Sequence, residues 1–167
     1  MLVIFTGDGK GKTSAAVGTA VRASGRDKKV LFIQFVKGDR KSGETDVLSG
    51  LKNITYKNFG RGFIFDHNIE EHKKAAAEGF DFLKDQISAK AFDFYIIDEL
   101  NVALHYGLLN TGEVLAYLKK VKNDIFLIIT GRDAKDELIE AADTVTEMKK
   151  IKHVFDKGIQ SIEGLDY

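Results

Sequence analysis

The stretch Thr6-Gly7-Asp8-Gly9-Lys10-Gly11-Lys12-Thr13 decides how this chain is read. It follows Leu2-Val3-Ile4-Phe5, a run of large apolar residues that stops abruptly at a glycine-rich turn and so reads as a short buried strand. The segment from Lys12 to Gly25 reads as a helix. Glycines leave backbone N–H groups free to curl around an anion, and a helix N-terminus behind them adds about half a unit of positive charge. Such a turn is a phosphate cradle. Lys12 places an ammonium on the phosphates, and the Thr13 hydroxyl is positioned to ligate Mg²⁺.

The usual spacing is G-x-x-x-x-G-K-[ST]. Here Gly7 precedes Gly11 by only four positions, so the loop is one residue short unless Thr6 stands in for the first glycine. Gly7 and Gly9 also begin a dinucleotide fingerprint, but Lys12 occupies the place of its third glycine. Lys-Thr at that place argues for a nucleoside triphosphate. The remaining alternative is a glycine-rich surface turn with no ligand.

A length of 167 residues with 44% hydrophobic content suits a single domain, residues 1–167, with a sizeable core. Lys+Arg and Asp+Glu balance at 25 each, so there is no global electrostatic case for nucleic acid or an acidic membrane surface. An anionic ligand has to be met locally. The absence of Cys excludes disulfides and thiolate metal sites. With no signal-peptide pattern and no apolar run approaching about 20 residues, a cytoplasmic protein is expected.

Beyond the loop, Ala15, Ala16, Ala20 and Ala23 give the first helix a small-residue face that can lie close against a sheet. Arg22, near its end, suits the helix dipole. Residues 29–35 read as a parallel strand covered on both faces, leaving Gln34, Lys37 and Gly38 at the carboxyl edge of the sheet, where ligands of α/β folds bind. From Asp39 to Gly62 the chain is polar and glycine-punctuated, with one strand expected over 54–59. In the next segment, Phe63 and Phe65 either cap the core or face a ligand. Residues 69–91 are helical by composition, with Ala75, Ala76, Phe80, Leu83 and Ile87 inward and His72 assigned to the charged outer face.

The strand that follows ends in Asp98-Glu99. Carboxylates at such a strand end face Mg²⁺ across the nucleotide in phosphate-loop proteins, or else cap the next helix. A helix over 111–122 leads to a strand over 124–129 that ends in Thr130-Gly131-Arg132, where Arg132 is free to meet phosphate or to pair with Asp133 or Asp136. A helix over 134–142 and a strand over 144–148 complete the alternation. The expected architecture is α/β, a mostly parallel sheet covered by helices on both faces.

Together these stretches resemble one family, the phosphate-loop type of ATP:corrinoid adenosyltransferases, which act on cob(I)alamin or cob(I)yrinic acid a,c-diamide. The carrying residues are the short loop from Thr6 to Thr13, Gln34 to Gly38, Gly43-Glu44, Gly62 to Phe65, Asp98 to Asn101, Thr130 to Arg132, Ala142 to Glu147, Lys152-His153 and Gly164 to Tyr167. They span nearly the whole chain. The shortened loop followed by Gly-Phe-x-aromatic is the most specific pair.

The resemblance implies a RecA-like nucleoside triphosphate-binding fold and an unusual reaction. A corrinoid reduced to Co(I) attacks the 5′ carbon of ATP, forming a cobalt–carbon bond and expelling triphosphate. By resemblance, Gly7, Asp8, Gly9, Lys10, Gly11, Lys12 and Thr13 bind the phosphates, Arg22 contacts the nucleoside, and Thr13 with Glu99 holds Mg²⁺ or Mn²⁺, supported by Asp98. Lys12 is then catalytic. So are Phe63 and Phe65, which pack near the corrin and displace its lower axial ligand; many family members carry Trp where this chain has Phe65. The implied partners are ATP, the reduced corrinoid, a flavoprotein reductant and a second copy in a homodimer. Relatives often have a segment ahead of the first strand that covers the site, and here Met1 opens the strand directly, so lid closure is expected to differ. The competing readings on the same loop are an ATPase or small-molecule kinase and a nucleotide-binding module without chemistry.

Overall fold

The computed structural model describes residues 1–38, 42–62 and 68–165. In chain order the elements are β1 (Leu2–Thr6), α1 (Lys12–Ser24), β2 (Val30–Gln34), α2 (Gly43–Gly50), β3 (Ile54–Asn58), α3 (Ile69–Ser88), β4 (Phe94–Asp98), α4 (Leu100–His105), α5 (Thr111–Val121), β5 (Phe126–Thr130), α6 (Asp136–Ala141) and β6 (Thr144–Glu147). A 3₁₀ turn over Val154–Lys157 follows. The strands form one six-stranded sheet in the order β3-β2-β4-β5-β1-β6. Every pairing is parallel, as continuous apolar runs joined by helical crossovers require. One strand, β5, separates the loop strand β1 from the acidic strand β4, the order of RecA-like phosphate-loop folds.

Side-chain alternation divides the core between the two faces of the sheet. Leu2 and Ile4 of β1 and Leu31 and Ile33 of β2 pack with Phe80 and Leu83 of α3, Leu104 of α4, Leu118 of α5 and Leu138 of α6. Val30 and Phe32 point to the opposite face, against Ala16, Ala20 and Ala23 of α1 and Leu48 of α2. The alanine stripe of α1 is therefore what lets that helix lie directly behind the loop. Asn68 and Asn110 cap α3 and α5, accepting from the Glu70 and Glu113 backbone N–H groups at 3.0 and 3.1 Å.

Three expectations need correction. The polar stretch after residue 38 contains a helix, α2, held by Leu48, as well as the strand β3. A further short helix, α4, follows the acidic strand directly. His72 is only 2% exposed and belongs to the buried face of α3, because it lies three and four residues before Ala75 and Ala76 on the same stripe.

Candidate functional site

Pairing register brings the carboxyl ends of all six parallel strands to one edge, with Gln34 opposite Asn58 and Asp98, Phe5 opposite Thr130 and Thr6 opposite Glu147. The loop leaves β1 at this edge. Gly7 and Gly11 have φ of +94° and +110°, values an L side chain rarely adopts, and Gly11 is the N-cap of α1 with no side chain capping it. The loop lies flush against the chain leaving β6. A Cβ on Gly7 or on Gly9 would come within 2.6 Å of the Met148 carbonyl oxygen, to which the Gly9 N–H donates. Gly7 is thus fixed by close approach as well as by conformation, and Gly9 by close approach alone.

Lys12 is 9% exposed, and its Nζ donates to the carbonyls of Gly7 and Gly9 at 2.6 and 2.8 Å. Burial, then the Arg132 guanidinium, hold its pKa below the usual lysine range, while Glu99, Asp8 and Asp98 oppose them. A buried ammonium whose hydrogen bonds among the described residues go to neutral carbonyls is a ready partner for an anion. Beside the loop, Asp8, Arg132, Lys150, His153 and Asp156 line a cleft of about 460 Å³.

Across the edge, Asp98 is fully buried and satisfied on both oxygens. Its Oδ1 accepts from the Thr13 hydroxyl at 3.0 Å and from the Thr130 hydroxyl at 2.5 Å. Its Oδ2 accepts from Gln34 Nε2 at 2.8 Å and faces Lys37 Nζ at 3.6 Å. Gln34 is held in turn by the Tyr56 hydroxyl, 2.7 Å from its Oε1. This network locks the orientation of Thr13, the first residue of α1 after Lys12. Glu99 is partly buried in the left-handed region at φ +62°, its N–H donating to Thr130 Oγ1 at 3.0 Å. Burial, then the charge of Asp98, push its carboxyl up to about 7 against the pull of Lys37, Lys12 and Arg132. A carboxylate so destabilised is relieved by a cation.

The structure gathers Gly7, Asp8, Gly9, Lys10, Gly11, Lys12, Thr13, Asp98 and Glu99 at one edge. Arg22 is exposed in the last turn of α1, ten residues beyond Lys12 and so about 15 Å along the helix. Phe63 and Phe65 lie outside the described residues. Arg132 lines the cleft, while Asp133 faces His105 at 3.9 Å. Sequence reasoning put Lys37 and Gln34 at the edge without giving either a partner. No cluster of three His, Cys, Asp or Glu suited to a metal occurs among the described residues. A metal here would rely on the Thr13 hydroxyl, the acidic strand end and ligand phosphates, the oxygen set and low protein ligand count that suit Mg²⁺.

An all-parallel α/β sheet with a glycine loop, an uncapped helix and a Lys-Thr pair facing buried carboxylates defines a phosphate-loop nucleotide-binding protein. The family model described as ATP:corrinoid adenosyltransferase BtuR/CobO/CobP matches residues 1–167, and the chain belongs to that family. It is 37% identical over 168 residues to the corrinoid adenosyltransferase of Escherichia coli (strain K12), covering 100% of this chain and 85% of that one. Identity is 34% over 168 residues to the corrinoid adenosyltransferase CobA of Salmonella typhimurium, with the same coverage. It is 36% over 169 residues to the corrinoid adenosyltransferase of Pseudomonas aeruginosa, covering 100% of this chain and 83% of the relative.

Proposed function

We propose that this protein transfers the 5′-deoxyadenosyl group of ATP to the Co(I) centre of a corrinoid, cobalamin or one of its precursors, and releases triphosphate. The observation that carries this reading is the Lys12–Thr13–Asp98 constellation, in a chain that matches corrinoid adenosyltransferases from end to end. The cobalt lone pair forms the Co–C5′ bond, and the C5′–O bond breaks with its electrons on the triphosphate oxygen. Cobalt passes formally from Co(I) to Co(III), and no proton need move. This suits a site in which the Asp98 carboxylate is committed to two hydroxyls and to the Lys37 ammonium rather than poised over a nucleophile.

What the protein must supply is stabilisation of a leaving group that carries about four negative charges. Lys12 and the loop N–H groups between Gly7 and Thr13, other than that of Gly9, which already donates to the Met148 carbonyl, are its donors, with Asp8 and Lys10 at the loop's exposed rim. Mg²⁺, or Mn²⁺, held by Thr13 and Glu99, supplies further charge neutralisation when bound. Asp98 orients Thr13 for that role. In the same reading Arg22 meets the nucleoside, Phe63 and Phe65 meet the corrin and favour loss of its axial ligand, a flavoprotein delivers the electron that generates Co(I), and the protein works as a cytoplasmic homodimer.

Product analysis tests the reading against a kinase or ATPase. Protein, ATP, Mg²⁺ and chemically reduced cobalamin should yield a light-sensitive cobalt–carbon product with one intact triphosphate per turnover by phosphorus NMR. ADP appearing in step with turnover would sink the proposal.

A further inference from the structure

Lys37 belongs neither to the loop nor to the acidic strand end, yet its ammonium is placed between them. Nζ is 3.4 Å from Thr13 Oγ1 and 3.6 Å from Asp98 Oδ2, while the side chain stays 41% exposed at the mouth of the site. The backbone that aims it is strained. Val36 has φ +69°, and the Lys37 N–H donates to the Phe35 carbonyl at 2.8 Å, closing a three-residue turn around a β-branched residue in the left-handed region.

That turn is over-determined by its neighbours. The Gly62 N–H donates to the Val36 carbonyl at 3.1 Å, a Cβ on Gly60 would fall 1.8 Å from the Lys37 carbonyl oxygen, and one on Gly38 would fall 2.6 Å from the Gly62 nitrogen. Strain held by such packing marks a functional constraint. Burial works against the charge on Lys37, but Asp98, Glu99 and Glu44 outweigh it and keep the ammonium protonated.

We infer that Lys37 is a second polyphosphate-binding cation, reaching from the β2 side while Lys12 reaches from the loop. The inference rests on the adenosyl-transfer reading for its ligand, the triphosphate portion of ATP and of the product. The Thr13 hydroxyl already donates to Asp98 Oδ1 at 3.0 Å, so the Lys37 ammonium, at 3.4 Å, is its weaker partner. The exposed side of that ammonium is open to a polyphosphate held by the neighbouring loop, with Asp98 behind it. There it meets the charge that grows on the triphosphate oxygen as the C5′–O bond breaks, and it remains protonated throughout.

The test uses the full chain with Mg²⁺ and inorganic tripolyphosphate. Lys37→Gln keeps a donor beside Asp98 but removes the charge; Lys37→Arg restores the charge. Calorimetric titration should show tripolyphosphate binding at least tenfold weaker in Lys37→Gln and largely recovered in Lys37→Arg. Single-turnover cobalt–carbon bond formation from preformed Co(I) should follow the same order. Unchanged tripolyphosphate affinity in a Lys37→Gln protein that melts with the wild type overturns the inference. On the wild type itself, Mg²⁺ and tripolyphosphate should shield Lys37 from amine acylation read by mass spectrometry, and equal labelling with and without them also overturns it. A wild type that shows Lys37-dependent binding but forms no cobalt–carbon bond supports this assignment and refutes the adenosyl-transfer reading instead.

Discussion

Glu99 shows how far a single residue's environment can be read into behaviour. Its folded-state pKa of about 7 lies above the ordinary value of 4.5, with burial the largest cause and Asp98 the next. Between those values the folded protein holds a proton that the unfolded chain has released. Stability contributed by that proton is complete at low pH and is lost as pH rises through the window, the reverse of a salt-bridged carboxylate. In the ligand-free protein, Glu99→Gln should therefore remove the decline and stabilise the fold at pH 8 by about 1–3 kcal/mol. Urea midpoints at pH 5 and pH 8 check it, and identical pH dependence in both proteins would contradict the environment described for Glu99. The Mg²⁺ proposed to bind at Glu99 would favour the ionised form, so on that proposal its affinity should fall below pH 7 as the same group protonates.

Among the elements, α3 shows both what sequence periodicity reveals and where it stops. Ala75, Ala76, Phe80, Leu83 and Ile87 were legible as the buried stripe, and His72 was in phase with them. By polarity it matches the charged outer face, while its spacing places it on the buried one. Gly79 on the same stripe is a closer constraint: a Cβ there would come within 2.8 Å of Phe59 Cγ and 2.9 Å of Phe35 Cε1. Alanine improves helix propensity by about 1 kcal/mol, but intrusion on two ring systems costs about 1–3 kcal/mol. Gly79→Ala should thus be net destabilised in thermal melts, and a stabilised variant would mean that α3 stands further from the sheet. The short helices escaped notice for different reasons. Gly43 and Ser49-Gly50 bracket α2 with residues that read as loop, and Leu100 to His105 is too short a stretch to show a helical period of its own. No local signal predicts either, since each is held by tertiary burial of a few side chains such as Leu48 and Leu104.

For the whole molecule, fold class and ligand edge were legible because buried parallel strands write themselves as apolar runs ending in polar clusters. Strand order was not, since it depends on which crossovers pack together, and neither was the junction of Thr13, Gln34, Lys37, Asp98 and Thr130, which joins residues as far apart as 117 positions. That junction ties α1, β2, β4 and β5 to one site, so a ligand held there and absent from the unfolded chain should stabilise the entire cooperative unit. At a hundred times its dissociation constant, a ligand contributes about 2.7 kcal/mol, which for a chain of this size corresponds to roughly 5–11 °C in melting temperature. Mg²⁺-ATP should produce such a shift in the wild type. Lys12→Ala should melt close to the wild type without ligand, because among the described residues the ammonium it removes is bonded to two loop carbonyls, yet it should lose most of the ATP-dependent shift. Its rate of adenosyl transfer should fall by more than a hundredfold, as expected on removing a strong electrostatic donor to the leaving group. Differential scanning calorimetry with and without Mg²⁺-ATP decides the matter, and an undiminished shift in Lys12→Ala would move the nucleotide away from the loop.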